Sequence, residues 1–225
     1  MADGLSVVRE RIAAAAARCG RAAAEITLVA ISKEADDQAV LAAYEQGHRD
    51  FGENRASGLV ERIKLLPGDA RWHFVGRLQG NKVRRVRPVT HLLHSLDRSE
   101  LAHYWLKGPG LPPPVLVQVN VAAEPQKAGV AVEDTEDLVQ LALGLGLDVR
   151  GLMTMPPATA DPERSRLYFR ELAALRDRLW RRWPQLTELS MGMTDDFEVA
   201  VEEGATILRV GRAIFCPSPN KRGHT

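Results

Sequence analysis

TLVAISKEADDQAVLAAYEQ, residues 27–46, reads as a single strand-then-helix unit. Thr27–Ser32 is a short run of apolar and β-branched residues, which suits a half- or fully buried strand. Asp36–Gln46 changes to a helical pattern, so one strand feeds one helix within this stretch. Outward from it the alternation repeats. On the N-terminal side Leu5, Val8, Ile12, Ala16 and Cys19 fall at three- and four-residue steps, the signature of one face of an extra N-terminal helix. On the C-terminal side strands are expected at 49–51, 72–75, 91–94, 115–121, 149–153, 187–191 and 207–210. Helices are expected between them at 56–66, 81–87, 98–106, 133–143, 162–183 and 195–203. VLVQVNV (115–121), introduced by Pro112–Pro114, is the cleanest strand, and His91–His94 the weakest. The longest helix carries Tyr168, Leu172, Leu175, Leu179 and Trp183 on one stripe.

Alternating strands and helices point to parallel β-α-β units. Eight such units fit a single closed (β/α)8 TIM barrel, and 225 residues is an ordinary length for one. An open doubly wound sheet satisfies the same periodicity. No repeat, linker or low-complexity segment divides the chain, so one barrel domain is expected over 1–216, with a polar tail over 217–225.

Thirty basic and 29 acidic side chains leave a formal net charge of +1, which gives no global attraction to nucleic acid or an anionic membrane. The local cluster Arg77, Lys82, Arg84, Arg85 and Arg87 lacks interleaved aromatics and reads as a solvated helix face. Cys19 and Cys216 form no metal-binding or redox spacing and suit a reducing compartment. The N-terminus is interrupted by Arg9, Glu10 and Arg11, unlike a signal peptide, and no apolar run approaches the roughly 20 residues of a membrane span. The expectation is a cytoplasmic protein with no membrane, metal or nucleic-acid partner, monomeric because no exposed apolar stripe is evident.

In an α/β barrel the site lies at the C-terminal ends of the strands. Those ends carry Ser32–Lys33, Gly52–Glu53–Asn54, His73 with Gly76, Gln118 with Asn120, Met153, Ser190–Thr194 and Arg209–Gly211. Lys33 alternates in phase with Val29 and Ile31 and so projects over the barrel interior. A lysine placed there is expected to be partly desolvated, which lowers its pKa and frees the amine to attack an aldehyde. The other reading is a lysine that snorkels out to solvent. Lys82 and Lys127 lie in loops at the same end without emerging from an apolar strand.

Ser190-Met-Gly-Met-Thr194 enters a helix whose first turn holds Asp195 and Asp196, and Arg209-Val-Gly211-Arg212 follows strand eight. Small residues in these two loops let backbone N–H groups converge on an anion, although the same residues also serve as turn glycines and as a Thr194 helix cap. Arg209 lies between Leu208 and Val210, where a charge needs a partner or a ligand. The choices are an ion pair with Glu202 or Glu203, or the ring nitrogen of a pyridoxal cofactor. An arginine there only donates, which favours holding the cofactor over carbanion chemistry. His73 is either a proton carrier or a core histidine bonded to backbone.

VAISK (29–33), DFGEN (50–54), WHFVGRLQGNK (72–82), QVNVAAEPQKAGV (118–130), GLMTMPP (151–157) and SMGMTDDFEVAVEEGATILRVGRAIF (190–215) together resemble the pyridoxal-phosphate homeostasis family, also called the YggS/PROSC family. The resemblance implies a barrel like the N-terminal domain of alanine racemase. It implies pyridoxal 5′-phosphate held as a Schiff base on Lys33, with Asn54 near the ring substituents and Arg209 near the ring nitrogen. Ser190, Thr194, Gly211 and Arg212 would surround the phosphate. The implied role is intracellular cofactor homeostasis without established turnover, with apo-enzymes that use the cofactor as recipients. The alternative is a racemase-like enzyme, which needs a second base, commonly a tyrosine; Tyr44, Tyr104 and Tyr168 all fall in predicted helices. Lys127, in the loop after strand five, is a further candidate to accept or release cofactor. Three departures from the family stand out: Glu34-Ala35-Asp36 replaces the usual Thr-Lys-Pro, Arg212 replaces a threonine, and Cys216 replaces a glycine.

Overall fold

The computed structural model describes residues 4–216, so the expected tail at 217–225 lies outside the described residues. Eight strands pair in sequence order into a closed barrel: β1 (Thr27–Ile31), β2 (Asp50–Glu53), β3 (Arg71–Phe74), β4 (Leu92–Leu96), β5 (Val115–Gln118), β6 (Val149–Met153), β7 (Glu188–Ser190) and β8 (Ile207–Val210). Closure is made by parallel pairing of β1 with β8, Thr27 opposite Ile207 through Ala30 opposite Val210. That pairing excludes the open sheet. Helices α1 (Gly4–Arg18), α2 (Asp37–Glu45), α3 (Ala56–Arg62), α4 (Val83–Val86), α5 (Ser99–Lys107), α6 (Thr135–Gly144), α7 (Arg166–Trp180), α8 (Phe197–Glu202) and α9 (Arg212–Phe215) surround it.

Two apolar layers hold the barrel. Val29, Leu92, Leu116, Met153 and Ile207, with Ile31 packed on them, form a small cluster of their own inside the ring of strands. The larger cluster lies between strands and helices and includes Trp105, Phe169 and Phe197. The extra helix α1 buries Leu5, Val8, Ile12, Ala15 and Ala16 and packs on α8 and α9. Full burial of each large aliphatic side chain contributes roughly 1.5–3 kcal/mol, enough to hold a helix that would be marginal alone. Cys19, expected on that face, lies past the end of α1 and is exposed.

The main departures from expectation are at ends. VLVQVNV leaves the ladder after Gln118, because Asn120 N–H donates to Val130 O and Val130 N–H to Gln118 O, turning the segment back on its own loop. The last long helix begins with a 3-10 turn, Pro162–Ser165, and its buried stripe is Phe169, Leu172, Leu175 and Leu179, one residue round from Tyr168. Arg87 turns inward, 1% exposed, and donates to Leu106 O and Gly110 O, so the expected basic helix face loses a member. No helix among the described residues is long and apolar enough to cross a membrane, and none of their His, Cys, Asp and Glu groups forms a metal cluster.

Candidate functional site

The alternation read along β1 does place Val29 and Ile31 inside the barrel, and Lys33 follows at its C-terminal rim. Ser32, fully buried, donates its hydroxyl to Glu53 Oε1 at 2.9 Å, while its N–H donates to Gly52 O at 3.0 Å. These bonds tie the end of β1 to the end of β2 and bring Lys33 beside Asn54. A glycine at 76 is needed there, since a Cβ would stand 2.0 Å from Asn54 O. Asn54 Oδ1 is buried and has no hydrogen-bond partner.

Lys33, Asn54, Thr194, Arg209, Gly211 and Arg212 line one cavity of about 640 Å³. Among the described residues Lys33 is the only lysine that lines it. Lys82 faces a neighbouring trough, and Lys127 is paired with Glu124 in the loop after β5. The Lys33 side chain is 45% exposed and lies 3.5 Å from Glu34, so the expected desolvation of the amine is not what the structure has. The reason is geometric: β1 stops at Ile31, which leaves Lys33 above the apolar lumen and open to solvent.

Arg209 is fully enclosed by the barrel, and burial lowers its pKa to about 10, which still leaves it cationic at neutral pH. It donates to Ser190 Oγ at 2.5 Å and to Thr154 O at 2.8 Å. The expected alternative partners are engaged elsewhere: Glu202 with Arg18 and Arg166, Glu203 with Arg166 and Arg170.

The loop after β7 differs from its sequence reading. α8 starts at Phe197, two residues later than expected, and Asp196 turns its side chain back to accept the Met193 N–H at 2.7 Å. Thr194 therefore is no cap and lines the cavity instead. Gly192 has φ of +90° and could carry no Cβ without meeting the Ala200 Cβ at 2.5 Å, so this tight return depends on glycine. Ser190, read as part of the phosphate site, is 0% exposed and points inward to Arg209 and His94. Arg212 reaches across the mouth to Asp195 at 2.5 Å, with both side chains largely exposed. Gln118 and Asn120 bond to Ala128 O and Glu124 O, holding the β5 loop instead of entering the cavity.

His73 is not bonded to backbone as the core reading held. Its ring is buried between Asp50 and the ring of His94, which sequence alone did not single out. Beside the cavity, and sharing Asn54 and Arg77 with it, a trough of about 1040 Å³ is lined by Arg55, Lys64, Lys82, Arg85 and Arg98. Most of the basic cluster noted in the sequence faces this trough.

The profile of the alanine racemase N-terminal domain matches residues 5–219. The pyridoxal phosphate homeostasis protein of Aquifex aeolicus is 42% identical over 95% of this chain and 96% of its own. A crystal structure of an unknown protein from Bifidobacterium adolescentis superposes with a TM-score of 0.88 at 33% identity, covering 94% of this chain and 93% of that one. PipY of Synechococcus elongatus PCC7942, solved with pyridoxal phosphate bound, gives a TM-score of 0.78 at 31% identity over 92% of this chain and 99% of its own.

Proposed function

The chain belongs to the alanine racemase N-terminal-domain family and, within it, to the pyridoxal phosphate homeostasis proteins, and on that premise we propose that it binds pyridoxal 5′-phosphate at Lys33 and serves as an intracellular carrier of that cofactor. One observation carries the reading: a single lysine enters a cavity that also holds a buried cation, Arg209, and an unpartnered buried acceptor, Asn54 Oδ1. An orphaned buried oxygen costs roughly 1–3 kcal/mol unless a ligand or water supplies a donor, so the cavity fits a ligand with polar substituents. Bound there, the cofactor would supply a phosphate dianion as an anchoring group and an aldehyde that condenses with a primary amine with loss of water only.

Lys33 presents the amine. Asn54 would orient the ring edge. Arg209 would donate an N–H toward the ring nitrogen and keep its own proton, which would leave that nitrogen an acceptor and suit retention of the cofactor. Thr194, Gly211 and Arg212 stand where the phosphate would be held, and the cationic trough beside them draws in an anion. Tyr44, Tyr104 and Tyr168 lie on α2, α5 and α7, outside the cavity lining, which supports a carrier over a two-base racemase; apo-enzymes are the recipients in this reading.

The test is borohydride reduction of the protein loaded with pyridoxal phosphate, followed by peptide mass mapping. The expected product is one reduced adduct on Lys33; an adduct on Lys82 or Lys127, or none, refutes the assignment.

The Arg212–Asp195 pair gives a smaller prediction. Exposed ion pairs contribute about 0–1 kcal/mol, so Arg212→Thr is expected to change cofactor affinity less than about tenfold in a fluorescence titration. A larger loss would mean that the guanidinium leaves Asp195 for the phosphate.

A further inference from the structure

A line of polar side chains runs through the barrel from the cavity to the opposite rim, with contributions from five strands. Arg209 on β8 donates to Ser190 Oγ on β7. Ser190 Oγ lies 2.8 Å from His94 Nδ1 on β4, and His94 Nε2 lies 2.9 Å from His73 Nδ1 on β3. His73 Nε2 lies 3.1 Å from Asp50 Oδ1 on β2. Asp50 ends the line in a cavity of about 380 Å³ at the N-terminal ends of the strands, where Arg71 also donates to it.

Hydrogen counting gives this line a direction. A carboxylate only accepts, so His73 Nε2 carries a hydrogen toward Asp50. If His73 is neutral, its Nδ1 accepts from His94 Nε2–H, His94 Nδ1 accepts from the Ser190 hydroxyl, and Ser190 Oγ accepts from Arg209. Every hydrogen then has an acceptor. If His73 is doubly protonated, its Nδ1–H donates to His94 Nε2 and His94 Nδ1–H donates to Ser190. The Ser190 hydroxyl hydrogen is then stranded in a fully buried site, which costs about 1–3 kcal/mol. Burial, with His73 and Arg209 nearby, also holds His94 well below its ordinary pKa, consistent with a neutral ring.

Arg209 has no carboxylate within ion-pair distance among the described residues. The guanidinium donates to Ser190 Oγ and to Thr154 O, with Asp196 acting on its charge from beyond that distance, and while His94 takes the Ser190 hydrogen the hydroxyl turns its lone pairs to Arg209 with no hydrogen left stranded. We propose that Ser190, His94, His73 and Asp50 are positioning residues: a one-directional hydrogen-bond relay that fixes the Arg209 guanidinium for its ligand, anchored on a carboxylate at the far rim of the barrel. This use of the relay rests on the cofactor reading given above. It reassigns Ser190 from phosphate contact to support of the ring-nitrogen partner.

Long-range 1H–15N spectra of the full chain, with and without pyridoxal phosphate, read the tautomers directly. The expected result is neutral His73 and His94, each protonated on Nε2; either ring protonated on Nδ1 overturns the relay. Ser190→Ala is expected to weaken pyridoxal phosphate binding about tenfold and to shift the visible maximum of the bound cofactor, while Ser190→Thr, which keeps the hydroxyl, restores both. Asp50→Asn, at the rim opposite the cofactor cavity, is expected to disturb the tautomers of both rings and move the same maximum. Unchanged spectra and affinity in Ser190→Ala overturn the positioning role even if the tautomers are as expected. A wild type that takes up no pyridoxal phosphate overturns the carrier function and the relay's use together, and the ligand-free tautomer spectra separate that failure from absence of the relay.

Discussion

Lys33→Ala is expected to abolish the visible absorption band that pyridoxal phosphate gives with the wild-type protein. The condensation needs a primary amine inside the cavity, and among the described residues Lys33 is the only lysine lining it. Non-covalent binding through Asn54 and Arg209 is expected to survive in the variant, with affinity reduced by more than about tenfold. The fold should be unaffected, because the side chain is 45% exposed and its recorded partner is the adjacent Glu34. A band that persists in the variant would move the attachment point to Lys82 in the trough or Lys127 on the β5 loop. Circular dichroism of both proteins separates loss of the amine from loss of structure.

The second large effect is acid destabilisation between about pH 6.5 and pH 4. His48 is buried, accepts from Arg9 on Nδ1, and is bonded through Nε2 to Asp50 O, and burial lowers its pKa to about 4. Complete burial likewise holds His94 well below its ordinary value. In the unfolded chain these rings titrate near 6.5, so as pH falls the unfolded state takes up protons first. Stability is therefore complete above about 6.5 and declines as pH drops toward each folded-state value. For His48 alone the loss at pH 4 is on the order of 3 kcal/mol, a large share of a typical folding free energy of about 5–15 kcal/mol. Asp50 does not offset this. Burial would raise its carboxyl, but hydrogen bonds from Arg71 and His73 outweigh that and hold it below the usual range, so its own contribution is lost only at lower pH. Urea denaturation at about pH 7.5, 6 and 4.5 reads the slope, and a flat stability over that range would contradict neutral burial of these histidines.

Sequence alone determined what depends on near neighbours along the chain. The eight strand–helix alternations, the inward phase of Val29 and Ile31, and the positions of β6 and β8 follow from local side-chain periodicity, which no distant contact had to complete. The motif stretches ending at residue 215 carried the family in the same way. Closure of the barrel needed the pairing of β1 with β8, a contact across nearly the whole chain that periodicity does not encode. The site separated along the same line. That Lys33, Asn54, Thr194, Arg209, Gly211 and Arg212 share one cavity was legible, because strand ends in a barrel converge. The direction of Ser190, the release of Thr194 from a capping role, the solvent exposure of Lys33 and the engagement of Arg212 with Asp195 were not. Each is set by a partner distant in sequence or by where an element stops, and His94 meets Ser190 only because β4 and β7 face each other across the lumen of a closed barrel.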